Sequence, residues 1–204
     1  MGNAPRVFRK GKGKRCEDEE EEEENDYEKT IYALGNKVYF YEAIEAASIL
    51  HLKKIIFELE QELRAESGRF GFEPHIELHL YSYGGDVFMG LDMYRCIRNS
   101  KVPIDTYVDG MIASAATFLF LGGRRRRISE YGHILIHQLS TDFWGKYEDL
   151  KDEYDNSRAL MACIKDLYEQ TSQMPRTKLN QILKRELYLT SADCIKYEIA
   201  HEVY

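Results

Sequence analysis

From Thr30 onward, short apolar runs alternate with longer stretches of helical spacing, and this alternation limits the possible folds more than any other feature. Strand-length runs separated by helix-length stretches predict an α/β domain with a largely parallel sheet. "KVYF" reads as a short strand, followed by a helix from about Glu42 to Ala65 on which Leu52, Ile55, Ile56, Leu59 and Leu63 share one face. "SGRFGFEP" reads as a loop. The unit then repeats: "HIELHLYS" alternates at period two, "YGG" turns, and Val87, Met89, Leu91, Met93, Tyr94 and Ile97 make a wide helical face. "VPIDTYV" is a third strand, and the apolar run after Ser114 a short helix buried on all sides. "GGRRRRIS" and "HILIHQ" suggest a β turn-back whose second strand ends at His137.

A long helix is expected from about Lys146 to Gln170. Its Tyr147, Leu150, Tyr154, Met161, Ile164 and Tyr168 fall near a seven-residue repeat. Such a face suits a seam against another helix and equally suits covering the domain's own sheet. Near the end, Thr190 or Ser191 can cap a last short helix, with Asp193 supporting it from the first turn.

The 204 residues are 44% hydrophobic, enough for one domain with a real core. Residues 1–28 stand apart: "RVFRKGKGKR" is basic, and ten acidic residues lie between Glu17 and Glu28. Blocks of like charge repel and stay solvated, so a disordered tail is expected ahead of a folded domain over 29–204. The acidic block competes for the neighbouring lysines and arginines, so nucleic acid is not expected as a partner. Cys16, Cys96, Cys163 and Cys194 show no CxxC spacing and no cluster with histidine, which suggests neither a disulfide framework nor a metal site. No cofactor is expected, and reduced thiols suit the cytoplasm. No apolar run approaches the roughly 20 residues of a membrane span, so a soluble protein without a membrane partner is expected.

"DGMIASAATFLF" sets Ser114 where an apolar run begins. The strand is expected to end at Asp109 and Gly110 to make the turn, leaving the hydroxyl near a helix N-terminus where unpaired N–H groups favour negative charge. A serine is inert at neutral pH unless a base removes its proton. His137 is the best candidate base, because it closes a strand and parallel sheets present catalytic groups at strand ends. A lone histidine there is more often structural. The glycine pair of "YGGD" lets backbone N–H groups face a ligand, so Gly85 and Ala115, the residue after the nucleophile, are the candidate oxyanion donors; an ordinary βα turn is the plainer account. Together these signals describe an acyl-transfer site.

"YSYGGDVFMGLDMYRCI", "GMIASAATFLFLGG", "ILIHQ" and "LYLTSADCIKYEIA", in that order, resemble the proteolytic subunit of the Clp protease, a self-compartmentalising serine peptidase, over roughly residues 30–204. The resemblance implies Ser114 as nucleophile and His137 as base. It further implies a crotonase-like spiral of ββα units and homo-oligomeric stacked rings, joined through the long helix. The substrates would be peptides or unfolded proteins, cleaved without ATP through an acyl-enzyme, with a separate ATP-dependent unfoldase as a possible partner. Where the family reads S-P-G-G this chain has Ser82-Tyr83-Gly84-Gly85, which keeps the glycines and loses the proline. Where the family has its catalytic aspartate the matching residue is Glu186, with Asp142 and Asp193 as fallbacks.

Two other readings stay open. A non-catalytic ring subunit would share the fold, although the presence of serine, histidine and an acid argues against it. A crotonase-type acyl-CoA enzyme would share the paired N–H groups, but its chemistry typically uses carboxylates. The arginines Arg124 to Arg127 are expected to form ion pairs with the next subunit, for instance with Glu148 or Asp152.

Overall fold

The computed structural model describes residues 30–204, so the expectation for the charged tail lies outside the described residues. β1 (Ile31–Leu34) turns through Gly35, at φ 60°, into the antiparallel β2 (Lys37–Phe40). Helix α1 (Ala46–Phe70) carries the chain to β3 (Ile76–Ser82), and α2 (Val87–Arg98) carries it on to β4 (Ile104–Ala113). β2, β3 and β4 are parallel neighbours, as the alternating pattern predicts.

The first helix starts and ends later than its apolar spacing suggests. Ile44 is held extended by a bridge to Gly85, and the Ser48 hydroxyl accepts from the Glu45 N–H at 3.0 Å, so the helix begins at Ala46. At the other end Gly71 adopts φ 74° and its N–H closes on Ser67 O at 2.8 Å. Gly71 is the stop signal, and the expected loop from Ser67 to Phe70 is the last turn of the helix.

After α3 (Ala116–Gly122), all of it buried, come β5 (Arg126–Ile128) and β6 (His133–Leu135). The expected turn-back is corrected here: the two strands do not pair with each other, and both run parallel to β4. β5 takes Thr106 to Val108 and β6 takes Met111 to Ala113. With ten residues, β4 is long enough for both. Between them Ser129 holds the chain to that edge, its N–H on Val108 O and its hydroxyl on Asp109 O.

α4 (Tyr147–Thr171), α5 (Arg176–Ile182), β7 (Tyr188–Thr190), α6 (Ser191–Lys196) and β8 (Glu202–Val203) complete the chain. β7 is antiparallel to β6, and β8 is parallel to β5. Thr190 caps α6 through the Asp193 N–H, as expected. The long helix covers its own domain with only its second half. Ile164, Leu167 and Tyr168 are buried against the domain, whereas Tyr147, Leu150 and Tyr154 are exposed.

The core lies where α1, α2 and α3 meet the sheet, and Leu52 and Ile56 of α1 belong to the same buried cluster as Leu78, Leu80, Val108 and Ile112 of the strands. Three of the four arginines find partners within their own chain, so intersubunit pairing is not what holds them in place here. Arg124 and Arg127 pair with Asp105, Arg127 also with Glu202. Arg126 is buried and donates to the carbonyls of Ile199, Thr171 and Glu198 at 2.7 to 2.8 Å, tying β5 to the end of α4 and to the C-terminal segment. Burial lowers its pKa to about 10. Among the described residues no helix is long and apolar enough to cross a membrane.

Candidate active site

Strand β4 continues past Asp109 and Gly110, where its register against β3 shifts between Leu80–Val108 and Ser82–Ile112, so the expected turn at Gly110 is corrected: the strand ends at Ala113 and the chain turns at Ser114. Gly110 serves closeness rather than turning, since a Cβ there would lie 3.3 Å from the Tyr81 ring. Ser114 adopts φ 54°, a left-handed conformation that costs a non-glycine residue on the order of 1–3 kcal/mol. Surrounding bonds hold it there. Its N–H donates to Leu135 O at 3.0 Å, and its carbonyl accepts from the Thr117 N–H at 3.0 Å.

The bond to Leu135 also brings serine and histidine together. β4 and β6 are parallel with Ala113 opposite Leu135, so Ser114 and the segment Ile136–His137 leave the same end of the sheet. Both side chains line a cavity of about 220 Å³, together with Gly85, Val87, Phe118, Leu139 and Ile164. A larger cleft of about 490 Å³ between α1 and the β1–β2 turn holds neither serine nor histidine, so size does not mark the site.

The glycine pair approaches from β3. Gly84 adopts φ 95° and Gly85 φ 148°, both in the region that favours glycine. A Cβ on Gly84 would lie 2.6 Å from Ala113 O, 2.7 Å from Ser114 Cβ and 3.2 Å from Ala115 N. The backbone of 84–85 is therefore packed directly on the serine turn. A lone alanine there would displace it. The proline missing before the glycines is replaced by Tyr83, whose ring meets Tyr81 edge-on and lines the cavity.

His137 Nδ1 lies 2.7 Å from the carbonyl oxygen of Gln138. A carbonyl only accepts, so Nδ1 carries the proton of the neutral ring and Nε2 keeps its lone pair. Glu186 is exposed between α5 and β7, and no hydrogen bond or ion pair among the described residues joins it to His137. Yet β6 and β7 pair Leu135 with Tyr188, and the same register continued by two residues would set His137 opposite Glu186. The ladder stops short because the Gln138 N–H bonds to Leu183 O at 2.9 Å. Of the fallback acids, Asp193 is engaged in capping α6 through Thr190, and Asp142 is exposed outside the cavity.

Two contributors went unread in the sequence. The sequence marks Gly84 only as the neighbour of Gly85, because its close approach to Ser114 is a property of two distant segments. Thr117 is the one hydroxyl in an otherwise apolar helix, a signal that could have marked it. Its Oγ1 lies 2.6 Å from Ser114 O and 2.5 Å from the hydroxyl of Tyr168.

A family model described as Clp protease matches residues 38–204. An ATP-dependent Clp protease proteolytic subunit from Deinococcus radiodurans is 28% identical over 133 residues, 64% of this chain and 65% of that protein. One from Oenothera elata subsp. hookeri is 28% identical over 60% of this chain and 51% of its own length. This chain thus spans less than two thirds of these relatives. Among solved structures, a point mutant of ClpP1 from Listeria monocytogenes superposes with a TM-score of 0.71 at 18% identity, covering 83% of this chain and 91% of that one, which shows the same fold.

Proposed function

The chain belongs to the Clp protease family, and from that premise we propose that it is a serine endopeptidase subunit that cleaves peptides or unfolded proteins through an acyl-enzyme. One observation carries the reading: a strained serine and a histidine with a free Nε2 share a cavity with a glycine turn. In this proposal Ser114 Oγ attacks the scissile carbonyl as His137 Nε2 takes its proton. The oxyanion that forms is met by the N–H groups of Gly85 and Ala115. His137 then returns the proton to the leaving amine, and water releases the acyl group by the same steps in reverse. Glu186 stabilises the imidazolium by its charge, without a hydrogen bond to the ring. No step in this cycle consumes ATP, so any ATP would be used by a separate unfoldase.

The exposed start of α4 supports assembly into rings. Tyr147 and Tyr154, seven residues apart on α4, are 75% and 67% exposed, and Trp144 just before the helix is 97% exposed. A second copy of that helix would cover them. The non-catalytic alternative rests on the absence, among the described residues, of a carboxylate at His137 Nδ1.

Hydrolysis of a fluorogenic peptide by the assembled protein tests the proposal. Activity should vanish in Ser114→Ala and in His137→Ala while the mass of the assembly stays the same. An inactive wild-type protein of full assembly mass would favour the non-catalytic subunit.

A further inference from the structure

The peptide unit between Ser114 and Ala115 is held by its carbonyl. That oxygen accepts from the Thr117 N–H at 3.0 Å and lies 2.6 Å from Thr117 Oγ1. A threonine hydroxyl has one proton, and the carbonyl can only accept, so that proton is committed to Ser114. The contact at 2.5 Å between Thr117 Oγ1 and Tyr168 must then be donated by the tyrosine. The order is Tyr168 O–H to Thr117 O–H to Ser114 carbonyl, a chain in which each bond polarises the next. Tyr168 is 2% exposed, and burial pushes its phenol well above the ordinary tyrosine range, so it remains a donor.

A trans peptide is planar, so its N–H points opposite its carbonyl. Fixing the Ser114 oxygen on Thr117 therefore fixes the Ala115 N–H on the other side, where no hydrogen bond among the described residues takes it up. The other peptide of the site follows the same plan with backbone alone: the Gly84 carbonyl accepts from the Ile44 N–H at 2.9 Å, which turns the Gly85 N–H away. The serine turn needs more than that. A half-turn of the 114–115 peptide would leave Ser114 at φ 54°, since it changes only ψ of Ser114 and φ of Ala115, and it would present a carbonyl oxygen to the oxyanion in place of the Ala115 N–H. We propose that Thr117 and Tyr168 are positioning residues, a hydroxyl pair that prevents this flip and keeps the Ala115 N–H aimed at the developing oxyanion. The proposal rests on the reading of Ser114 as nucleophile.

The test compares kcat and KM for a fluorogenic peptide, together with inhibition by a peptide aldehyde, whose hemiacetal oxygen occupies the oxyanion position. Tyr168→Phe keeps the ring packed on Phe118 and should lower kcat about 10-fold at nearly constant KM, with aldehyde affinity falling in parallel. Thr117→Val should lose roughly 100-fold, of the size expected for a misplaced catalytic group, and Thr117→Ser should recover most of it. A loss that appears in KM with aldehyde affinity intact, or a Thr117→Ser as impaired as Thr117→Val, overturns the positioning role. Should Thr117→Val fail to fold, Tyr168→Phe carries the same comparison. Activity lost in Ser114→Ala but unchanged in both Tyr168→Phe and Thr117→Val overturns the hydroxyl pair alone. Activity that persists in Ser114→Ala overturns the nucleophile and the pair with it, as does a wild-type protein with no hydrolysis.

Discussion

His137 Nδ1 is paired at 2.7 Å with the carbonyl of Gln138, the next residue, and not with the carboxylate of Glu186. That pairing already selects the tautomer in which Nε2 is the base. In serine proteases, neutralising the triad acid costs about 10⁴-fold because the histidine takes the wrong tautomer. Here the carbonyl prevents that error, so Glu186→Gln should lose only the stabilisation of the imidazolium. A fall in kcat of roughly 10- to 100-fold is expected, with Glu186→Asp in between, on the same scale of losses. Steady-state kinetics of the three proteins decide it, and a loss near 10⁴-fold would mean that Glu186 itself orients the ring.

Gly84 should tolerate no side chain. Its φ of 95° and the 2.6 Å separation a Cβ would have from Ala113 O leave no place for one without moving the serine turn. Gly84→Ala is expected to abolish hydrolysis and to lower the melting temperature, whereas Gly68→Ala, inside α1 where a Cβ meets nothing within 4 Å, should leave hydrolysis unchanged and raise the melting temperature slightly. Equal behaviour of the two variants would contradict the close approach.

The order of helices and parallel strands was legible because burial imposes periodicity on local sequence, as in the Leu52–Leu63 face of α1 and the alternation of β3. The partners of β5 and β6 were not. Two short runs separated by a turn look like a hairpin, and only the ten-residue length of β4 lets both lie along one strand. At the site, Ser114, His137 and the glycine pair could be picked out by residue type and strand ends. The turn at Ser114 could not, because a left-handed serine has no local signature and is maintained by bonds from Leu135 and Thr117. The Gln138 carbonyl was invisible for the same reason, since any residue supplies one.

Acid should weaken the fold through Asp109. Burial raises its pKa, but hydrogen bonds from His79, Tyr204 and Tyr41 outweigh burial and hold it below the ordinary aspartate value of 3.8. A carboxylate depressed in the folded state adds stability above its unfolded pKa and loses it as the pH falls through the folded value. Asp109→Asn should therefore melt below wild type at neutral pH, with the gap shrinking as the pH drops below about 3.8. Thermal melts across that range check the sign, and a gap that widens in acid would contradict it.

The exposed half of α4 should hold copies of the chain together. Leu150→Glu and Tyr154→Glu place charge on a surface that a second helix would bury, so the assembly mass should fall in both variants. The melting temperature of the dissociated chain should change little, because neither side chain is buried within it. Analytical ultracentrifugation reads both masses. Unchanged assembly in the two variants would move the interface elsewhere.

The central claim is that Ser114 is a nucleophile activated by His137, and the most direct measurement is covalent labelling with a fluorophosphonate, followed by mapping of the modified peptide. The account predicts one adduct per chain, on Ser114, formed by the folded protein and absent after denaturation, in Ser114→Ala and in His137→Ala. An adduct on Ser82, on Ser140 or on any residue that survives Ser114→Ala would contradict it, as would a correctly assembled protein that forms no adduct at all.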